Sequence, residues 1–230
     1  MSDPIAAARA DGRTRLTEAE GKRLLADAGI DTPEFAVCAT VDGAIEAAEA
    51  IGGPVVVKVS SPAVVHKSEW GGGAGVAVGL DSPGAVADAT ERIFATAAEQ
   101  GVEADVLVEA ARDVGAGTEV IVGGLRDPSF GPVVLAGLGG VFTEVFADTS
   151  HRIAPVDPAE ARAAIEELQA ARLLDGYRGS DPVDVDALAR VVATVGDLVV
   201  EHDIAELDVN PVLATPDGAT ALDALVVLEE

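Results

Sequence analysis

The run Val55-Val56-Val57-Lys58-Val59 constrains this chain most. Four β-branched residues in five positions read as a buried strand. A lysine inside such a strand is costly unless its ammonium meets an anion, or unless the strand is an edge and the head reaches water. Lysine is scarce here: only Lys22, Lys58 and Lys67 occur. Two of the three lie close to His66, one of three histidines, and Gly71-Gly72-Gly73-Ala74-Gly75 follows at once. The chain carries 15 Lys+Arg against 40 Asp+Glu, a net charge of −25. A surface this anionic repels phosphate almost everywhere, so a local concentration of lysine, histidine and glycine marks a place built to accept it.

The 230 residues suit one large domain or two closely joined lobes. The apolar fraction is 49% and the aromatic fraction 3%, so the core must be built from Val, Ala, Leu and Ile. The charge argues against nucleic acid or an anionic membrane as partner. It also suits a salt-loving source, where screening removes the cost of self-repulsion. Cys38 is the single cysteine, which forbids an intrachain disulfide and fits a reducing cytoplasm. The N-terminal MSDPIAAARADGRTR has no apolar signal core, and no long uncharged apolar run could span a membrane.

Helix and strand signals intermix along the chain, which predicts an α+β (mixed α/β) class. Thr17 and Glu20 form a capping-box pattern, and Gly29 stops the helix they open. Further helices are predicted from Asp42 to Ile51, from Ser82-Pro83 to about Gln100, from Asp157-Pro158 to about Arg172, and from Asp184 to Glu201. Beyond Val55–Val59, strands are expected at 105–109, 119–123, 132–136, 204–208, 211–214 and 220–228, with Pro216-Asp217-Gly218 as a turn.

Three sets of residues carry candidate chemistry. Lys58 is expected to contact phosphate. Neither a Walker A pattern nor G-x-G-x-x-G is present, but the glycines around Gly72 and Gly73 offer backbone N–H groups to an anion. His66 precedes Lys67, and a cation next door favours the neutral, nucleophilic imidazole. The plainer reading, a hydrogen-bonded histidine, is kept for His151 and His202. At the C-terminal end, alternation places Glu206, Asp208 and Asn210 on one strand face, with Asp223 brought beside them by the hairpin. Carboxylate and amide oxygens form a hard donor set suited to Mg²⁺ shared with phosphates, although an acidic face on so acidic a chain is also what solvation alone would give.

These segments, taken in order, resemble the ATP-grasp domain of ADP-forming acyl-CoA synthetases, in particular the separate beta subunit of acetate–CoA ligase (ADP-forming). The likeness is carried by LTEAEGKRLLADAGI, by GPVVVKVSSPAVVHKSEWGGGAGV, by RDPSFGPVVLAGLGGVFTEVFADTSHRIAPV at 126–156, by LLDGYRG, and by IAELDVNPV with ALDALV. The succinyl-CoA synthetase beta chain resembles it more distantly. The resemblance implies a two-lobed ATP-grasp fold over residues 1–230: an N-terminal helix at 15–30, a lobe at 31–105 with the Lys58 strand and His66 loop, and a lobe at 106–230 with the metal site. It implies that Lys58, with Lys67, Gly72 and Gly73, holds nucleotide phosphates. The strand Val106–Ala110 would lie beside adenine, with Glu109 in contact. Asn210 and Asp223 would ligate Mg²⁺ with Asp208 close by, and ATP or ADP would be the substrate. His66 would take a phosphoryl group generated on an alpha subunit and deliver it to ADP. That alpha subunit, carrying the CoA-binding and ligase domains, would join this chain in an α2β2-type hetero-oligomer. One position departs from the family loop: Ser68-Glu69 is followed by Trp70, the only tryptophan, which reads either as a packing anchor or as a partner contact. Two other readings remain open at this point, a self-sufficient ATP-grasp carboxylate–amine ligase and a nucleotide-sensing subunit without chemistry.

Overall fold

In the computed structural model, which describes residues 3–139, 148–176 and 181–229, most helices begin where the sequence supplies a cap. Asp3 caps α1 (Pro4–Ala10) through the Ile5 N–H. Thr17 and Glu20 close a reciprocal capping box on α2 (Glu18–Asp27). Thr40 caps α3 (Val41–Ile51), which follows the short strand β1 (Phe35–Cys38). Next come β2 (Val55–Ser60), β3 (Val76–Leu80), α4 (Pro83–Gln100, capped by Ser82) and β4 (Asp105–Ala110). The remaining elements are β5 (Thr118–Asp127), β6 (Gly131–Leu138), β7 (Thr149–Ile153), α5 (Pro158–Glu166), α6 (Val185–Glu201), β8 (Ile204–Thr215), β9 (Gly218–Ala221) and β10 (Leu225–Leu228).

The chain folds into two units, one spanning Pro33–Arg112 and the other combining Met1–Thr32 with Asp113–Glu230. The first unit is an antiparallel sheet in the order β1-β4-β2-β3. Val55, Val57 and Val59 of β2, with Val106 and Val108 of β4, share one buried cluster with Ala44 of α3 and with Val86, Ala89 and Ile93 of α4. The expected lobe boundary at 105/106 falls at the start of β4. That strand runs between β1 and β2 and cannot be parted from them, so this unit continues to Arg112.

The second unit is built on the order β10-β8-β5-β6-β7, with β9 also paired to β8. Leu188, Val191, Val192, Val195, Leu198 and Val199 of α6 join Val120, Val122, Val134, Ala136, Leu207 and Val209 of the sheet in one core. Gly124 permits the close approach, since a Cβ there would lie 2.6 Å from Val199 Cγ2. The first residues belong here because Leu16 N–H donates to Val226 O and Leu228 N–H to Thr14 O, extending the sheet beyond β10.

Three sequence expectations change. The helix opened by Asp157 ends at Glu166, not near Arg172, because the buried Asp148 carboxylate accepts the Gln169 and Ala170 N–H groups at 2.9 Å each and turns the chain. The strands expected at 204–208 and 211–214 are one strand, β8. The strand expected at 220–228 is two, β9 and β10, interrupted around Asp223.

Candidate functional site

Lys58 lies on an interior strand, so the edge-lysine reading does not hold. On β2, Val55, Val57 and Val59 face the helices, which turns Lys58 to the opposite face. Register pairs Lys58 with Leu107 and Val56 with Glu109, so Glu109 shares that face one diagonal away. The Lys58 Nζ is 2.7 Å from Glu109 Oε1, with side chains only 10% and 5% exposed. An anion that makes this buried lysine tolerable is therefore a carboxylate of the same sheet. Glu109, expected beside adenine, is turned to Lys58.

The loop that follows is tied to the same strand. Val59 N–H donates to Gly75 O at 2.8 Å. Gly75 has to be glycine, since a Cβ would lie 2.2 Å from the Lys67 carbonyl oxygen. The near end is fixed by Ser61, whose hydroxyl donates to Glu103 O at 2.8 Å. Between these ties the His66 carbonyl accepts the N–H groups of Glu69 and Trp70, and the Trp70 carbonyl accepts those of Gly73 and Ala74. Gly71, Gly72 and Gly73 take φ of 60°, 70° and 95°, a region that favours glycine. His66 is exposed and Lys67 half-buried.

The expectation that the glycine amides face a phosphate is not met in this arrangement. Gly72 N–H donates to Glu69 O at 3.2 Å and Gly73 N–H to Trp70 O at 3.1 Å, so both are used by the turns themselves. The glycines shape the loop.

In the other unit, Leu207 and Val209 are buried, which turns Glu206, Asp208 and Asn210 of β8 to the outer face. Leu225 pairs with Asp208 and Val227 with Glu206, while Leu222 N–H donates to Pro211 O at 2.9 Å. Carrying that register forward places Asp223 opposite Asn210. Asp223 Oδ1 accepts the Ala224 N–H at 2.7 Å. Burial, together with the charges of Glu206 and Asp223, pushes the Asp208 carboxyl up to about 6. Carboxylates that repel one another in a partly desolvated place fit a divalent cation, whose charge would relieve them. Among the described residues no group of three or more His, Cys, Asp and Glu side chains is arranged to hold a metal on its own. The set fits an ion completed by oxygens from elsewhere, such as phosphate.

Lys58, Glu109, His66, Lys67, Gly72 and Gly73 all lie in the 33–112 unit, where Lys58 and Glu109 are in contact, while Asp208 and Asn210 of β8 and Asp223, opposite Asn210, belong to the other. His151 is exposed on β7, and His202 follows the last turn of α6. Sequence reasoning passed over the third lysine. Lys22 is fully buried on α2 with its Nζ 2.9 Å from Glu18 Oε1, one turn away. Beside it a Cβ on Gly21 would lie 3.2 Å from Ala224 Cβ, next to Asp223. The i, i+4 spacing of Glu18 and Lys22 was the available signal. Residues 140–147 of the 126–156 run, and 177–179 of LLDGYRG, lie outside the described residues.

Residues 7–228 match the model of an ATP-grasp domain. The chain is 40% identical to the acetate–CoA ligase (ADP-forming) I subunit beta of Pyrococcus furiosus, over 97% of this chain and 96% of that one. Two solved structures of the acetyl-coenzyme A synthetase 1 of Ca. Korarchaeum cryptofilum are similar over 99% of both chains. One, with coenzyme A and Mg-AMPPCP, has its phosphohistidine segment pointing towards the nucleotide binding site, with a TM-score of 0.84 at 39% identity. The other, with coenzyme A and acetyl-coenzyme A, has a phosphorylated segment in a site I orientation, with a TM-score of 0.88 at 37% identity. The fold is the ATP-grasp fold, and the chain belongs to the family of ADP-forming acetate–CoA ligase beta subunits.

Proposed function

We propose that this chain is the nucleotide-binding beta subunit of an ADP-forming acyl-CoA (acetate–CoA) ligase, and that His66 relays a phosphoryl group between an alpha partner and ADP. The observation that carries the proposal is an exposed His66 on a compact loop whose neck hangs on the strand that bears Lys58. A histidine displayed in this way, beside a strand that holds a buried cation, suits a carrier better than a core residue.

The reaction balances in three steps. On the alpha partner, phosphate displaces CoA from acyl-CoA and gives acyl phosphate. An unprotonated imidazole nitrogen of His66 then attacks phosphorus, the P–O bond to the acyl group breaks, and the carboxylate leaves. Finally a β-phosphate oxygen of ADP attacks the phosphohistidine, the P–N bond breaks, and ATP departs with the imidazole restored. Phosphoryl transfer asks mainly for alignment and charge neutralisation. Lys58 would supply a fixed cation for the nucleotide phosphates, leaving Glu109 as its positioner. Lys67 would offer a second cation next to His66. Asn210, Asp208 and Asp223 would hold Mg²⁺, which when bound neutralises phosphate oxygens. An α2β2-type assembly with the CoA-binding alpha chain completes the proposal. The net charge of −25 supports work in concentrated salt, and the single cysteine supports a reducing cytoplasm. Stable activity after dialysis into dilute buffer would count against the former.

The deciding experiment is labelling with γ-phosphate-labelled ATP and Mg²⁺. An acid-labile label on the wild type, lost in His66→Ala, supports the relay. A wild type that takes no label, yet joins a carboxylate to an amine, would replace this reading with that of a self-sufficient ligase.

A further inference from the structure

The carrier reading gives Trp70, the chain's only tryptophan, no task. Yet Trp70 and His66 are joined in one turn, with Trp70 N–H donating to the His66 carbonyl at 3.0 Å. A second turn follows directly, since Gly73 and Ala74 donate to the Trp70 carbonyl at 3.1 and 3.0 Å. Residues 66–74 are therefore a short coil held by its own backbone bonds. The coil is seated through one large apolar side chain: Trp70 packs against the buried cluster of the 33–112 unit. The seat is close-fitting. A Cβ on Gly75 would lie 3.2 Å from the Trp70 ring, and one on Gly71 would lie 2.4 Å from Thr96 Cγ2 on α4. His66, four residues earlier, is exposed.

A carrier histidine must serve two stations. Moving His66 by more than a side-chain rotation, with the coil still wound, drags Trp70 with it. That changes what surrounds the indole. Resting on the carrier reading of His66, we propose that Trp70 is a positioning residue. It seats the His66 coil on this unit's core at one station, and His66 reaches the other only when Trp70 leaves that seat.

The test uses the full beta chain with its alpha partner and follows both routes to phosphohistidine. One is labelling from γ-labelled ATP with Mg²⁺; the other is labelling from acyl-CoA with labelled phosphate. Trp70→Ala is expected to change the ratio of the two rates by about tenfold, because it removes the bias toward one station. Trp70→Phe is expected to restore the ratio to within about twofold, because a ring again fills the seat. In the wild-type complex, with the Trp70→Phe complex as blank, Trp70 emission is expected to differ between the state poised with Mg-ADP and that poised with acyl-CoA and phosphate. An unchanged ratio, an equal fall in both rates, or one emission in both states overturns the proposal. The emission measurement needs no folded Trp70→Ala protein. A wild type that takes label by neither route fails the carrier reading first, and this proposal with it.

Discussion

Replacing Lys58 by Met leaves the Glu109 carboxylate buried without the cation 2.7 Å away. Both side chains are within a tenth of full burial, so water screens the loss little. Removing one partner of such a pair costs about 3–5 kcal/mol, whereas replacing both by apolar residues of similar size is often close to neutral. The expected cycle is therefore strongly non-additive. Lys58→Met and Glu109→Leu should each lower stability by about 3–5 kcal/mol, and the double variant should recover most of it, a coupling of at least about 2 kcal/mol. Urea unfolding followed by Trp70 emission is the assay, because that tryptophan sits in the same 33–112 unit. Calorimetric titration with Mg-ADP separates stability from function: the double variant should regain stability and still fail to bind nucleotide. Additive single costs, or single costs below about 1 kcal/mol, would refute the view of the pair as a buried, mutually dependent unit.

Arg126 donates to the carbonyls of Val199 and His202 at 2.7 and 2.8 Å, closing the end of α6, so Arg126→Met should cost about 2–3 kcal/mol in thermal or urea unfolding. Gly75→Ala forces a Cβ against the Lys67 carbonyl; labelling of His66 should collapse while the circular dichroism of the chain persists. The Asp208 carboxyl is raised in the folded chain to about 6, so the folded state binds its proton more tightly than the unfolded one. Stability from this group is present below the unfolded carboxylate range and is lost as pH rises through about 6. Without Mg²⁺, Asp208→Asn should therefore be more stable than wild type at pH 7, with the gain fading below about pH 4, and added Mg²⁺ should narrow it. A variant that is equally stabilising at pH 3 and pH 7 would contradict the charge argument.

The caps were legible because each is a local device. Thr17 with Glu20, Ser82, Asp157 and Asp184 all accept the backbone N–H groups that such residues satisfy. Asp208 and its neighbours were legible because a strand's alternation decides which way each side chain points. The unread strands β1, β3 and β7 are short, and their pattern does not alternate cleanly between buried and exposed. Lys58 announced that it needed an anion, but not which one: Glu109 enters only when β4 pairs with β2. The glycine run announced backbone freedom, while the direction of its N–H groups depends on φ at each residue and on the turn begun at His66. Trp70 stood out in composition, and only packing shows that it lies against the core of its unit.

The insertion of Pro33–Arg112 into the other unit has a consequence on the ribosome. That segment is contiguous in sequence and can settle as soon as it has emerged. The first helices cannot, because Thr14 and Leu16 bond to Leu228 and Val226, which are synthesised well after residues 33–112. Closing so long a loop is slow, and residues 33–112 are made well before it is possible. In ribosome-stalled chains cut short before Leu225, residues 33–112 should resist protease while α1 and α2 are cleaved. Residues 4–27, made before the 33–112 unit, would then find their place after it.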